Sequence, residues 1–154
     1  MLGSELNHAA AGRYMVALEP ILPGGTRRDV LCQKDTLRAT IELKMSFRWT
    51  LGDYVEALEQ QLQGQYMKAP NSRIGFFVIV LQKTRKWNGP DGKKIGFGEL
   101  LAILREKARE KEIADSSVYL RVIGIDATPP EDFRASRKAV GAGKKSAAKA
   151  PSGP

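Results

Sequence analysis

Three side chains in "RRDVLCQKDTLRATIELKMS", residues 27–46, have types and a spacing that can do chemistry. Asp29 opens a short apolar run, and Glu42 and Lys44 interrupt a second one. Side chains alternate along a strand, so Glu42, Lys44 and Ser46 share one face and Ile41, Leu43 and Met45 the other. If the two runs form a hairpin turning near "QKDT", Asp29 and Glu42 stand at similar distances from the turn. They then face each other across the ladder, with Cβ atoms about 5 Å apart. Two carboxylates held that close repel unless positive charge stands between them. A hard divalent cation such as Mg2+ takes oxygen ligands and keeps open positions for water. It acidifies water and polarises a phosphoryl oxygen, while a neighbouring lysine orients the attacking water or neutralises developing charge. The reaction this implies is hydrolysis of a phosphodiester. The bare pattern of an aspartate with Glu-x-Lys downstream also occurs on solvated sheet faces, where it does nothing. The order of the surrounding elements therefore carries weight.

That order reads as follows. "GSELNHAAAGRYM" opens with Ser4, a good helix cap, and its alanines favour a short helix. "YMVALEPIL" is an extended stretch ended by the turn signal "PGG" at 23–25. "RRDVLCQ" and "LRATIELKMS" are strands joined by "KDT". Thr50 and Asp53 form a helix-start signal, after which Leu51, Val55, Leu58, Leu62 and Tyr66 mark one face of a helix running to about Met67. "IGFFVIVLQ", 74–82, is a continuous apolar run expected to be a central strand covered on both faces. "KTRKWNGPDGKK" reads as a basic, turn-rich loop; it lacks the spacing of a phosphate-cradling loop. "FGELLAILREKAREKE" is a second amphipathic helix, and "SSVYLRVIGID" a last strand. The expected fold is α/β. A three-strand antiparallel meander and two further strands, pairing in parallel after helices, make one mixed sheet flanked by helices.

With the elements in this order, the chain resembles the PD-(D/E)xK nuclease superfamily, the restriction-endonuclease-like core, over about residues 4–126. The resemblance implies that Asp29 and Glu42 bind Mg2+ or Mn2+, that the backbone carbonyl of Leu43 joins them, and that Lys44 is the catalytic lysine. Many members carry a glutamine on the following helix, for which Gln61 is the candidate, with Gln65 four residues on. The Q-x-x-x-Y element of one branch is matched loosely, since Tyr66 comes five residues after Gln61. Some members add a glutamate from the first helix, here Glu5. Arg28 stands where the family often has proline.

Composition bounds the rest. The hydrophobic fraction of 42% suffices for a core, and no apolar run approaches a membrane span of about 18 residues. The opening stretch lacks a basic end followed by an apolar block, so no secretory signal is expected. With a single cysteine, Cys32, expected buried and inert, a reducing cytoplasm fits best. The only histidine, His8, reads as a packing or surface residue. Of the net charge of +8, six basic residues and no acid lie in 134–154, which leaves +2 for 1–133. We therefore expect one domain over 1–133 and a disordered basic tail over 134–154. Nucleic-acid contacts are expected from Arg27, Arg28, Arg48, Lys83, Arg85, Lys86, Lys93 and Lys94, with Trp49 and Trp87 stacking on bases. The alternative for Trp49 is a plug at the edge of the core. The function expected is a Mg2+-dependent nuclease acting on DNA ahead of RNA. It would be a nuclease module of a larger bacterial defence or repair assembly, with a protein partner or a homodimer as further expectations. The alternative is a catalytically inactive module of the same fold that binds nucleic acid or a protein.

Overall fold

The computed structural model describes residues 2–18, 29–60 and 70–130. Arg27, Arg28, Gln61, Gln65 and the 134–154 tail lie outside the described residues. The chain opens with α1 (Leu2–Ala10), which starts ahead of Ser4. Ser4 is thus part of the helix and not its cap, contrary to expectation.

Strands β1 (Met15–Leu18), β2 (Val30–Lys34) and β3 (Leu37–Met45) form the antiparallel meander. Lys34 pairs with Leu37, so the β2–β3 turn is only Asp35 and Thr36. Asp35 takes the left-handed conformation (φ 53) that short polar side chains tolerate. Helix α2 (Leu51–Glu56) begins at the Thr50–Asp53 capping box. Asp53 N–H donates to Thr50 Oγ1 at 3.2 Å, and Thr50 N–H to Asp53 Oδ2 at 2.7 Å. The helix continues with a wider, π-type winding over 57–60; the expected extension to Met67 runs outside the described residues. Strand β4 (Ile74–Leu81) pairs parallel with β3, and β7 (Tyr119–Asp126) parallel with β4 after α3 (Phe97–Ala114). The result is a five-stranded mixed sheet of order β1-β2-β3-β4-β7.

The basic segment read as a loop instead forms a small second sheet, β5 (Trp87–Asn88) with β6 (Lys94–Ile95). Its cause is an apolar cross-strand pair. Trp87 and Ile95 face each other in register, and both are buried in the core.

The two faces of the sheet differ. On one, Phe77, Ile79 and Leu81 of β4 and Leu120 and Val122 of β7 pack under Leu100, Leu101, Leu104 and Ala108 of α3, with Tyr54 and Leu58 beside them. Burying a leucine such as Leu100 or Leu104 completely contributes roughly 2–3 kcal/mol. On the other, Val78 is buried and Phe76 and Val80 half-buried, so β4 is covered on both faces as expected, while Ile123 and Ile125 of β7 are exposed.

Side chains close both sheet edges. The Asn7 amide accepts from Val16 N–H and donates to Val16 C=O on β1, at 2.9 and 3.1 Å. On β7, Glu112 Oε1 accepts from Leu120 N–H at 2.8 Å, Arg121 donates to Leu120 C=O at 2.9 Å, and Arg105 Nε donates to Val122 C=O at 3.2 Å.

Helix α3 approaches β7 so closely at Gly124 that an added Cβ would lie 2.2 Å from Leu101 Cδ1 and 3.1 Å from Phe97 Cζ. Gly124→Ala is expected to lower unfolding free energy by about 1–3 kcal/mol in denaturant titrations, through overpacking. A second expectation concerns pH. Its hydrogen bonds to Thr50 hold the Asp53 carboxyl below the usual carboxylate range. The stabilisation is therefore complete above the ordinary aspartate value, about 3.9, and is lost as pH falls through the depressed folded value. The melting-temperature gap between wild type and Asp53→Ala should hold steady through neutral pH and close in strong acid.

Candidate active site

The face of β3 that carries Thr40, Glu42, Lys44 and Ser46 is the face turned to the core. Glu42 stands in register with Phe77, which is fully buried, and is itself only 3% exposed. A polar stripe therefore runs along the centre strand on the side where neighbouring strands place Phe, Ile, Leu and Val. Its apolar counterpart, Ile41, Leu43 and Met45, lies on the more open side.

Asp29 reaches this stripe from the position just before β2. Val30, the first residue of β2, pairs with Ile41, and Asp29 stands at a bend one residue beyond that last rung of the ladder. Its Oδ2 accepts the N–H of Leu43 at 2.7 Å, which anchors the carboxylate against the backbone between Glu42 and Lys44. In an extended strand the N–H and C=O of one residue point to the same neighbour, so the Leu43 carbonyl leaves β3 on the Asp29 side. The Lys44 ammonium lies 2.5 Å from Glu42 Oε1. Glu42 Oε2 is buried and has no hydrogen-bond partner among the described residues.

Electrostatics follow from this packing. Burial pushes the Glu42 carboxyl above its ordinary range, the hydrogen bond and charge of Lys44 pull it back, and the negative charge of Asp29 pushes it up again. A second positive charge beside Oε2 would relieve both upward pressures. The donors in this region are carboxylate and carbonyl oxygens, the set that Mg2+ and Mn2+ prefer, and the unpartnered Oε2 could serve as a ligand atom. Asp29, Glu42 and the Leu43 carbonyl thus fit a divalent cation. Among the described residues no group of three or more His, Cys, Asp or Glu converges on a metal-sized site, and Glu5 stands exposed on α1.

An aromatic wall backs the lysine. The Lys44 ammonium sits 4.6 Å from the centroid of Trp49. Trp49 stacks on Tyr54 (5.5 Å, 26°), and Tyr54 meets Phe77 edge-on at 6.4 Å. The Tyr54 hydroxyl is buried, has no partner among the described residues, and is pushed up to about 12, mainly by burial. The expected helix face packs on the core, with Leu51 and Val55 half-buried and Leu58 fully inside; it omits Tyr54, which stands four residues before Leu58 and is fully buried. That i, i+4 spacing is the available signal.

The expected nucleic-acid residues divide. Trp87 is 2% exposed, its Nε1–H donates to the Trp49 carbonyl at 3.0 Å, and it packs in the core. It is a structural tryptophan, and the expectation that it stacks on bases is corrected. Trp49 is half-buried, with its ring shared between Lys44 and Tyr54. Arg85 donates to the Ser46 carbonyl at 2.5 Å and lies over the Trp87 ring. Lys83, Lys86, Lys93, Lys94 and Arg48 are exposed; Lys93 pairs with Asp91, and Arg48 covers Phe47. His8 is exposed. Cys32 is half-buried, not buried as expected, and burial pushes its thiol up, which disfavours the reactive thiolate.

Removing one partner of a buried ion pair leaves the other charge uncompensated. Lys44→Met is therefore expected to cost about 3 kcal/mol in denaturant titrations at neutral pH, and adding Glu42→Gln to restore most of it. No family model, curated protein or solved structure matches the chain, so the reading of this centre rests on its own residues.

Proposed function

We propose that the chain is a metal-dependent nuclease with a restriction-endonuclease-like core, hydrolysing phosphodiester bonds of DNA ahead of RNA. The observation that carries this reading is the buried Glu42, with one oxygen on Lys44, the other unpartnered among the described residues, and Asp29 fixed beside it. Asp29, Glu42 and the Leu43 carbonyl would hold Mg2+ or Mn2+. When bound, the ion supplies Lewis acidity toward a phosphoryl oxygen and makes water a stronger acid.

The remaining work falls to the protein's own side chains. Asp29 holds its place through the Leu43 N–H, so its carboxylate needs little reorganisation on binding. Lys44 is held between Glu42 and the Trp49 face, where an ammonium can stabilise negative charge developing on the phosphate. Trp49, Tyr54 and Phe77 screen that side of the carboxylate from water, which strengthens each charge interaction inside. Exposed Lys83, Lys86 and Arg48 are available to the backbone of a substrate.

The full chain is expected to cut plasmid or single-stranded substrates with Mg2+ or Mn2+ and to stop when the metal is chelated. Asp29→Asn, Glu42→Gln and Lys44→Ala should each lower the rate by about 100-fold or more. Cleavage that persists in all three, or wild-type protein inert on single- and double-stranded DNA and RNA, defeats the reading. A second reading, a non-catalytic module that binds nucleic acid or a protein, draws support from the Lys44–Glu42 pair itself, which already neutralises the buried carboxylate. It predicts no thermal stabilisation by Mn2+, in wild type or in Asp29→Ala.

A further inference from the structure

Beside the carboxylate centre lies a cavity of about 330 Å3, between residues 50–52 and the β5–β6 hairpin. One water occupies about 30 Å3, so the space takes a group far larger than solvent. Its lining includes Arg85, Lys86 and Lys94 together with Thr50 and Asn88, and no acid. Among the described residues, no ion pair joins any of these three cations to a carboxylate. Arg85 and Lys94 are instead oriented by neutral acceptors: Arg85 by the Ser46 carbonyl at 2.5 Å, Lys94 by Asn88 Oδ1 at 2.6 Å. The buried Trp87 ring supports the Arg85 guanidinium from a centroid distance of 4.9 Å. Such a guanidinium is held in place and still has donors to offer, since it carries five. A second basic cavity, between α3 and β7, differs in holding Glu112, whose carboxylate takes Arg121. Lys93, on the same hairpin, is already paired with Asp91 at 3.3 Å.

We propose that this cavity binds a phosphate group of the nucleic-acid strand through Arg85, Lys86 and Lys94. The proposal rests on reading the adjacent centre as one that acts on nucleic acid. The cavity is lined by segments that follow the carboxyl ends of the parallel strands β3 and β4, while Glu42 and Lys44 stand within β3, three residues and one residue before its end. Two hydrogen bonds link cavity and centre: Arg85 to Ser46, two residues after Lys44, and Trp87 to Trp49, whose ring backs the Lys44 ammonium. A phosphate seated here sets the register of the strand relative to Glu42. Thr50 and Asn88 add neutral polar groups at the rim, and the hairpin turn at Gly89–Gly92 keeps Lys94 beside Asn88.

The test is fluorescence anisotropy of the full chain with a short, dye-labelled single-stranded DNA, divalent metal chelated throughout. A Lys86→Ala/Lys94→Ala double variant removes two exposed cations without touching the core. It should bind about 10-fold more weakly, and the slope of log Kd against log salt should fall by roughly 0.7, one single-strand phosphate contact. A Lys107→Ala/Lys111→Ala double variant removes equal charge from α3 and should change affinity much less. Tighter binding of a 5′-phosphorylated strand assigns the cavity to a terminal monoester, and equal binding assigns it to a backbone diester. Inorganic phosphate, titrated at constant ionic strength, should displace the DNA in the first case and not in the second. Unchanged affinity and slope in the Lys86/Lys94 variant, or an equal loss in the Lys107/Lys111 variant, overturns the proposal. Because no metal is present, failure here is separable from failure of the nuclease reading. A chain that cuts DNA yet loses nothing in the first variant lacks the phosphate site. One that cuts nothing yet loses binding in that variant has the site without the chemistry.

Discussion

A carboxylate at 3% exposure beside a phenylalanine ring is the constraint on which the rest of the structure depends. Desolvating such a group costs several kcal/mol even after relaxation. A fold keeps it only if something positive meets it, and Lys44, two residues along the same strand, does so at 2.5 Å. The strand on one side sets Phe77 in register with Glu42, and the residue before the strand on the other side is Asp29, a further negative charge. Among the described residues, one ammonium therefore meets a buried carboxylate, Glu42, with a half-buried one, Asp29, beside it.

The surrounding elements make sense as supports for that cluster. The two-residue turn at Asp35 and Thr36 fixes the β2–β3 register, and with it the approach of Asp29 to Glu42. The capping box at Thr50 starts α2 where Tyr54 can slide beneath Trp49, and Trp49 gives the lysine an electron-rich surface. The small β5–β6 sheet plants Trp87 under the same corner and ties it back to the Trp49 carbonyl. Each support is an ordinary packing device. Their convergence on one end of the sheet is what makes that end a candidate for chemistry.

Much of this was legible from residue order. The meander, the two later strands and the helix start at Thr50 follow from turn signals, apolar runs and one capping pair, all of them local. What was not legible depended on the far side of a contact. Alternation shows that Glu42, Lys44 and Ser46 share a face, but not that Trp49 and Tyr54 back it, because they come from a later segment of the chain. Trp87 looked solvent-facing among its basic neighbours, yet one cross-strand partner, Ile95, was enough to draw it inside. The face of α2 expected through Leu51, Val55 and Leu58 does pack on the core but is too narrow, because Tyr54, four residues before Leu58, is buried as well. Periodicity finds the stripe; tertiary packing sets how wide it is.

The bonds made by Asn7 at one margin of the sheet, and by Arg105, Glu112 and Arg121 at the other, have a consequence for assembly. Main-chain groups that could recruit a foreign strand are already occupied at those rungs. Two copies of the molecule cannot zip together there without first evicting their own side chains. If a two-fold pair is needed to attack both strands of a duplex, its contact has to avoid those rungs, and the open sheet face with its exposed Ile123 and Ile125 remains available for it.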